Sequence, residues 1–232
     1  MQVVVLCGGK GTRLNEYTEQ IPKPLIEIGG KPILRHIMEM YAYYGYKDFI
    51  LCLGYKGEKI KEYFENENSY NIEFVDTGIN SNKAERIIKI KNYVKGEDEF
   101  FVTYGDDLSD VDINALLEFH HKNKKIVTLT AVDFVSPFGI LYINKKKEIV
   151  KFQEKPRLNY LMNGGYFVFN RKIFDYIKGG YDLEKETFGD LAKGRMIAAF
   201  YHKGFWKSMN TLKDVIELNE MFASGKAPWT RK

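Results

Sequence analysis

The stretch VVVLCGGKGTR, residues 3–13, decides the fold. Residues 3–7 form a continuous β-branched and aliphatic run that ends in glycines, the pattern of a strand covered on both faces. Such a strand belongs in an α/β domain with a largely parallel sheet. Working outward, FILCLG (49–54) and EFFVTYGDD (99–107) read as further buried strands, and NIEFVDTG (71–78) as a strand and then a turn. Between them, Ile33, Leu34, Ile37, Met38 and Tyr41 recur at helical spacing within residues 31–44, and Gly45 stops that helix. Helices are also expected over 58–65, over 84–95, and from Asp110 or Asp112 as a cap to about residue 122.

The second half is richer in strands: IVTLTAVDF (126–134), GILYIN (139–144), EIVKFQE (148–154) and GGYFVFN (164–170). The second and third of these pair as a hairpin across Lys145–Lys147. A short helix to about residue 177 follows. Strands are then expected in MIAAFYHKG (196–204) and FWKSM (205–209), and a last helix over 212–223 stopped by Gly225. No linker, repeat or low-complexity tract divides the chain, so residues 1–232 read as one domain with two halves, 1–125 and 126–232.

Composition narrows the function. Hydrophobic residues make up 44% and charged residues 28% of the 232, a globular mix that excludes disorder as the main state. Lys and Arg total 35 against 31 Asp and Glu. That excess is too mild and too interspersed for a nucleic-acid binder, yet it helps attract a polyanionic small substrate. Cys7 and Cys52 lie inside apolar runs and read as buried thiols of a reducing compartment. Neither they nor His36, His120, His121 and His202 show metal-ligand spacing. With no basic leader and no apolar run near the roughly 18–20 residues that span a bilayer, the expectation is a cytoplasmic protein with no membrane partner.

The chemistry concentrates at the start. Gly8-Gly9-Lys10-Gly11-Thr12-Arg13 follows the first strand, and Pro22-Lys23-Pro24 comes shortly after. Glycines let backbone N–H groups approach an anion with no Cβ in the way. Thr12 adds a hydroxyl, Arg13 and Lys23 add fixed charge, and the prolines are expected to hold the chain around Lys23 extended. A lone GGxG is most often a turn with exposed basic neighbours. Joined to Thr-Arg and Pro-Lys-Pro it suits a nucleoside triphosphate. It matches neither the P-loop nor the dinucleotide GxGxxG pattern.

GGxGTR followed by PKP resembles the signature of the sugar-phosphate nucleotidyltransferases. KPLIEIGGKPIL (23–34), FILCLGYKGEKIKEYF (49–64), FVTYGDDLSD (101–110), FQEKP (152–156), NGGYFVFN (163–170) and GKAPW (225–229) resemble, in order, the glucose-1-phosphate cytidylyltransferase branch of that family. The resemblance implies a Rossmann-like α/β/α domain with a mixed, mostly parallel sheet, a nucleotide-binding first half and a β-rich acceptor-binding second half. It implies Mg²⁺-dependent transfer of CMP from CTP to a phosphorylated acceptor with release of pyrophosphate. The implied acceptor is glucose 1-phosphate, giving CDP-glucose for capsule or lipopolysaccharide synthesis, and the implied assembly is a homo-oligomer.

Site roles follow from the same resemblance. Leu6, Gly8 and Gly9 lie against base and ribose, Gly11, Thr12 and Arg13 hold the β- and γ-phosphates, and Lys23 reaches the α-phosphate and the acceptor phosphate. Thr77, Gly78, Tyr104 and Gly105 complete the nucleotide site, and Asp106 binds the metal. The family's second metal ligand is usually Asp in Met-Asp-Thr; here the segment is Met209-Asn210-Thr211. Asn210 can still offer a carbonyl oxygen, or it can cap the last helix. Glu154, Lys155, Asn163 and Gly164 correspond to the acceptor pocket, with Asn163-Gly164-Gly165 read as a turn, and Asp107 and Asp110 are expected as turn and cap residues. Two features depart from the branch: only 11 residues separate Phe64 from Asp76, where the relatives carry a long insertion, and Lys83-Ala84-Glu85-Arg86 replaces a TGGRL stretch. Two other readings stay open. One is the same CTP chemistry on a non-sugar phosphate, such as L-glutamine phosphate in a capsule phosphoramidate pathway. The other is an inactive nucleotide-sugar sensor, which predicts loss of Arg13, Lys23 or Asp106; all three are present.

Overall fold

A computed structural model describes residues 1–14, 18–94 and 96–230. The strands are β1 (Val3–Leu6), β2 (Glu27–Ile28), β3 (Lys31–Pro32), β4 (Asp48–Leu53), β5 (Asn71–Asp76), β6 (Glu99–Tyr104) and β7 (Asp107–Ser109). They continue with β8 (Val127–Val135), β9 (Ile140–Ile143), β10 (Ile149–Gln153), β11 (Arg157–Asn170), β12 (Ile197–Tyr201) and β13 (Trp206–Ser208). The α-helices are α1 (Ile33–Tyr43), α2 (Gly57–Phe64), α3 (Lys83–Lys89), α4 (Ile113–Asn123), α5 (Phe188–Lys193) and α6 (Leu212–Ala223).

Seven strands form the central sheet in the order β12-β8-β11-β6-β1-β4-β5. β1 pairs in parallel with β4 on one side and β6 on the other, β4 pairs in parallel with β5, and β12 in parallel with β8. β11 alone runs antiparallel to its neighbours β6 and β8. This is the mixed, mostly parallel α/β/α sheet expected from the sequence.

Alternation along the strands supplies two cores. Val3, Val5, Phe101 and Val168 face one side, where α1, α2, α4 and α6 pack through residues such as Ile37, Ile60, Leu116 and Leu218. Val4, Phe100, Val102 and Phe167 face the other, covered by Ile87 of α3 and Leu191 of α5. Each such fully buried side chain contributes roughly 1.5–3 kcal/mol of transfer free energy. β1 sits between strands that lead away in opposite directions across the sheet. Its C-terminal end is therefore the switch point where open α/β sheets bind ligands.

Three expectations change. The helix over 84–95 ends at Lys89; Ile90, Lys91 and Tyr93 instead bond three residues back, and residue 95 lies outside the described residues. Ile87, Ile90 and Val94 are all fully buried, so the apolar spacing holds although the backbone tightens into turns. The strand expected over 164–170 extends back to Arg157, so Asn163-Gly164-Gly165 is no turn. Its register against β8 shifts between Asn163 and Phe167, a bulge that uses the positive φ of Gly165. A helical segment also appears where none was expected: Asp182 caps Leu183–Thr187, which continues into α5.

Candidate active site

A cavity of about 610 Å³ opens at the C-terminal ends of β1 and β6. Its floor is the glycine loop. The Gly8 carbonyl accepts from Arg86 Nη2 at 2.9 Å and from the Tyr55 amide at 3.1 Å. A trans peptide then directs the Gly9 N–H the opposite way, and among the described residues that N–H meets no protein acceptor. The Gly11 carbonyl likewise accepts from the Leu14 amide at 2.9 Å, which turns the Thr12 N–H outward. The loop thus presents donors to an anion while its carbonyls are held by protein.

Arg86 is one of the cavity residues that the sequence reading did not single out. It is 4% exposed, lines the cavity, and donates through Nη1 to the Leu53 carbonyl at 3.0 Å and to Thr77 Oγ1 at 2.5 Å. No carboxylate of the described residues lies within ion-pair distance, and burial lowers its pKa. The only signal in the sequence was an arginine inside a helix whose neighbours Ala84 and Ile87 face the core. Close packing here explains Gly8 and Gly54. A Cβ on Gly8 would stand 2.6 Å from Arg86 Cζ and 2.9 Å from the Gly54 nitrogen. Gly8→Ala is expected to destabilise the fold by about 1–3 kcal/mol. A thermal melt lowered by a few degrees checks this, at roughly 2–4 °C per kcal/mol for a chain this size.

Lys23 begins a 3₁₀ turn, Lys23–Leu25, closed by Leu25 N to Pro22 O at 2.8 Å. The extended backbone expected around it holds for Pro22 (φ −68°, ψ 146°) but not for Lys23 itself. Pro24, with its φ fixed near −65°, suits a turn as well as an extended chain. The lysine stem packs against Gly11, whose φ is +63° and where a Cβ would lie 3.1 Å from Lys23 Cβ.

The catalytic candidates converge from distant segments. Lys23 Nζ donates to Asp106 Oδ2 at 2.6 Å and to Asn210 Oδ1 at 3.0 Å. Asp106 follows β6. Asn210 follows β13, and β13 pairs antiparallel with β7, Ser208 opposite Asp107. The Met209 amide extends that pairing to the Asp106 carbonyl at 2.9 Å. Asn210 does not cap the last helix. Thr211 does, in a capping box with Asp214, and Asn210 Nδ2 donates to Ser208 Oγ at 2.8 Å, which aims its carbonyl oxygen at Lys23.

Asp107, expected as a turn residue, starts β7 and is buried against the cavity. Burial first, and then the adjacent Asp106 charge, push its pKa up to about 8; Ser208, Lys23 and Lys83 pull the other way. Gly165 makes room for this carboxyl, since a Cβ there would collide with it. Folded Asp107 therefore keeps its proton between 3.8 and about 8, where the unfolded chain has released it. The native state binds more protons in that window, so the metal-free protein is expected to lose stability as pH rises through it. Asp107→Asn should flatten the pH dependence of the melting temperature, by at most about 1.4 kcal/mol per pH unit.

The far wall is Tyr104. Its hydroxyl donates to Glu184 and accepts from Asn163 Nδ2 at 3.2 Å. Lys83 pairs with Glu184 and lies 4.3 Å from the Tyr104 ring centre. Burial, followed by the Glu184 charge, raises the pKa of this phenol.

Of the residues expected at the site, Leu6, Gly8, Gly9, Gly11, Thr12, Arg13, Lys23, Tyr104, Gly105, Asp106, Asn163 and Asn210 line one cavity. Thr77 lies beneath it, fully buried, bonding Leu53 and Arg86. Gly78 lines a separate surface depression with Ile79 and Lys89. Gly164 contributes its carbonyl to Trp206 Nε1 at 2.7 Å, and Trp206 lines the cavity. Glu154 and Lys155 sit on an exposed bend outside the lining. Ser81, Asn82, Lys83 and Asp182 also line it and had no distinct sequence signal.

A model of the nucleotidyl transferase family matches residues 2–225. The chain belongs to that family. It is 43% identical to the glucose-1-phosphate cytidylyltransferase of Salmonella typhimurium over 254 aligned positions, covering 99% of this chain and 98% of the relative. It is 40% identical to a protein of Bacillus subtilis named probable glucose-1-phosphate cytidylyltransferase, covering 99% of each. Both alignments exceed the 232 residues of this nucleotidyltransferase, so each relative holds residues it lacks. The crystal structure of HddC from Yersinia pseudotuberculosis complexed with GMP-PN shares the fold, with a TM-score of 0.74 at 24% identity, covering 95% of this chain and 99% of that one.

Proposed function

We propose that this nucleotidyltransferase transfers CMP from CTP to glucose 1-phosphate, releasing pyrophosphate and forming CDP-glucose. The observation that carries the chemistry is the meeting of Lys23, Asp106 and Asn210 beside the glycine loop. The identity of base and acceptor rests on whole-length similarity to glucose-1-phosphate cytidylyltransferases. The acceptor phosphate oxygen attacks the α-phosphorus of CTP, the bond to the β-phosphate oxygen breaks, and pyrophosphate leaves. Gly11, Thr12 and Arg13 hold that leaving group, and Lys23 offsets charge as two anions approach. No protein nucleophile is required, so catalysis is positioning and electrostatics.

The site fits a divalent metal. Two hard oxygens, from Asp106 and Asn210, already converge on one cation, the Lys23 ammonium. One carboxylate and one amide oxygen, completed by phosphate oxygens and water, is a set that Mg²⁺ accepts. Asp106 and Asn210 would hold the ion, which supplies charge neutralisation at the phosphates. The test is a matrix of four nucleoside triphosphates against glucose 1-phosphate and other phosphorylated acceptors, read by pyrophosphate release and product mass. CTP with glucose 1-phosphate is expected to dominate. Trace CDP-glucose beside fast conversion of an amide phosphate would overturn the acceptor; preference for UTP or dTTP would overturn the base.

We assign the acceptor to the Asn163 end of the cavity, and we assign Glu154 and Lys155, which lie outside the lining of the ligand-free site, to contacts made once the acceptor is bound. Lys155→Ala is expected to raise KM for the acceptor by about tenfold while leaving KM for CTP unchanged, as loss of one charge-assisted phosphate contact predicts. Equal shifts in both constants would remove Lys155 from the acceptor pocket.

The assembly we propose is a homo-oligomer joined through the β9–β10 ribbon. Among the described residues this ribbon pairs only with itself. Ile149 stands opposite Ile143 and Phe152 opposite Leu141, so one face is wholly apolar, each of the four 52–63% exposed. Val135, Phe138, Tyr160 and Leu161, nearby in the chain, are exposed as well, and a stable interface needs ~800 Å² per partner. Its free strand edges suit another protein strand and not hydrocarbon. A second copy, carrying the same face, closes a two-fold contact. Sedimentation should show a multimer that Phe152→Glu reduces to a folded monomer; a monomeric wild type sinks this assembly.

A further inference from the structure

The ion pair at the centre of the site has a consequence for how metal and nucleotide enter. Lys23 Nζ makes both of its bonds, to Asp106 Oδ2 at 2.6 Å and Asn210 Oδ1 at 3.0 Å, to the two oxygens that fit a metal. The lysine side chain is 11% exposed and its stem is wedged against Gly11, whereas the Asp106 side chain is 30% exposed toward the cavity. We infer that Lys23 is the resident cation of the metal site, holding Asp106 and Asn210 in the ligand-free enzyme, giving way to metal alone only at high concentration and readily once a phosphate oxygen takes its ammonium. This rests on the reading of the protein as a divalent-metal nucleotidyltransferase.

The physical argument is competition between like charges. An ammonium bonded to Asp106 Oδ2 at 2.6 Å occupies the approach that a dication needs. A metal arriving alone must displace Lys23. The displaced ammonium then has poor options. Its stem fixes it near the loop, and it is nearly buried. Asp107, the next carboxyl, packs toward Gly165 and Ser208. Asn210 offers only a neutral oxygen, already shared. A triphosphate removes the difficulty, because the same glycine loop that orients its N–H groups brings phosphate oxygens within reach of Lys23. Lys23 then exchanges one anion for another, and Asp106 becomes available to the metal at that moment. The exchange keeps Asp106 charge-paired throughout the cycle. It also weakens metal binding ahead of the substrate.

Coupling of this kind is reciprocal. Removing the Lys23 charge must therefore tighten metal binding to the nucleotide-free enzyme, although the same change damages turnover. A lysine that served only as a phosphate ligand would leave nucleotide-free metal affinity unchanged.

The test titrates wild type and Lys23→Met with Mn²⁺ in the absence of nucleotide, following free Mn²⁺ by electron paramagnetic resonance. Lys23→Met is expected to bind Mn²⁺ at least about tenfold more tightly, the scale of one charge-assisted contact, and adding Asp106→Asn should abolish the gain. A second measurement needs no variant. Wild-type lysines are acetylated with acetic anhydride and mapped by mass spectrometry. Saturating Mg²⁺ alone should raise Lys23 labelling, and Mg²⁺ with CTP should suppress it again. Unchanged Mn²⁺ affinity in Lys23→Met, or Lys23 labelling indifferent to Mg²⁺, overturns the inference. Metal-dependent pyrophosphate release accompanied by either result leaves the nucleotidyltransferase reading standing. Absence of metal-dependent release by the wild type removes that reading instead.

Discussion

Asp106→Asn is expected to leave a folded protein whose pyrophosphate release falls by at least about a hundredfold, the range seen when one preorganised electrostatic group is lost from a reacting centre. The substitution keeps the shape of the side chain and removes its charge. Asp106 sits where β6 ends, braced by Met209 N on its carbonyl at 2.9 Å and by Gly105 N on Leu6 O at 3.2 Å, and neither bond uses its carboxylate. The backbone bracing survives, while the nearly buried Lys23 ammonium is left with neutral oxygens only, so the protein should stay folded with a melting temperature lowered by a few degrees. The chemistry should respond, because Asp106 carries the full negative charge of the proposed metal pair, Asn210 being neutral. Residual activity should no longer rise with Mg²⁺ over the range that saturates wild type. Asn210→Asp is the instructive contrast: it adds charge at the second oxygen and should lower the Mg²⁺ concentration needed for half-maximal rate. Normal activity and normal magnesium dependence in Asp106→Asn would falsify the metal site.

The parts of the molecule that were legible in the sequence are those where one local rule acts without competition. β1, β4 and β6 are buried on both faces, so their apolar runs are continuous. The last helix, Leu212–Ala223, was legible at its C-terminal end because Gly225 takes a φ of +69° just beyond it. The glycine loop was legible because three glycines directly follow a continuous apolar run, and the structure lines the cavity with them. What escaped reading depends on contacts between distant segments. Arg86 lies on a helix, and its partners Gly8, Leu53 and Thr77 belong to three other segments. Asp107 looks like any acid after a strand until β13 and Gly165 close over it. Asn163-Gly164-Gly165 looks like a turn because glycines usually are one. Here the pairing of β11 with both β6 and β8 overrides that local preference and turns the glycines into a bulge. The π-helical stretch at Leu183–Thr187 has no periodic apolar face of ordinary spacing, and its cap Asp182 becomes visible only through the bonds from Glu184 N and Lys185 N.

Lys23→Ala is expected to lower kcat/KM for CTP by at least about tenfold, since a charge-assisted contact to phosphate is worth roughly 1.5–3 kcal/mol and each 1.4 kcal/mol is a factor of ten. The loss should fall mainly on kcat. The contact strengthens as the acceptor phosphate closes on the α-phosphorus, so it favours the transition state over the bound ground state. Stability should change little. Asp106 is left without its partner, but its side chain is 30% exposed and water can solvate it, so the surface-pair scale applies more than the buried one. Lys23→Arg should not rescue turnover. The guanidinium is a planar fork, wider than an ammonium. The lysine stem already lies against Gly11, with Thr18 Cγ2 a further close neighbour of that glycine. An arginine there must shift the glycine loop or aim past Asp106. Turnover by Lys23→Arg close to wild type would mean that charge alone, and not the single-point ammonium held between Asp106 and Asn210, is what the site requires.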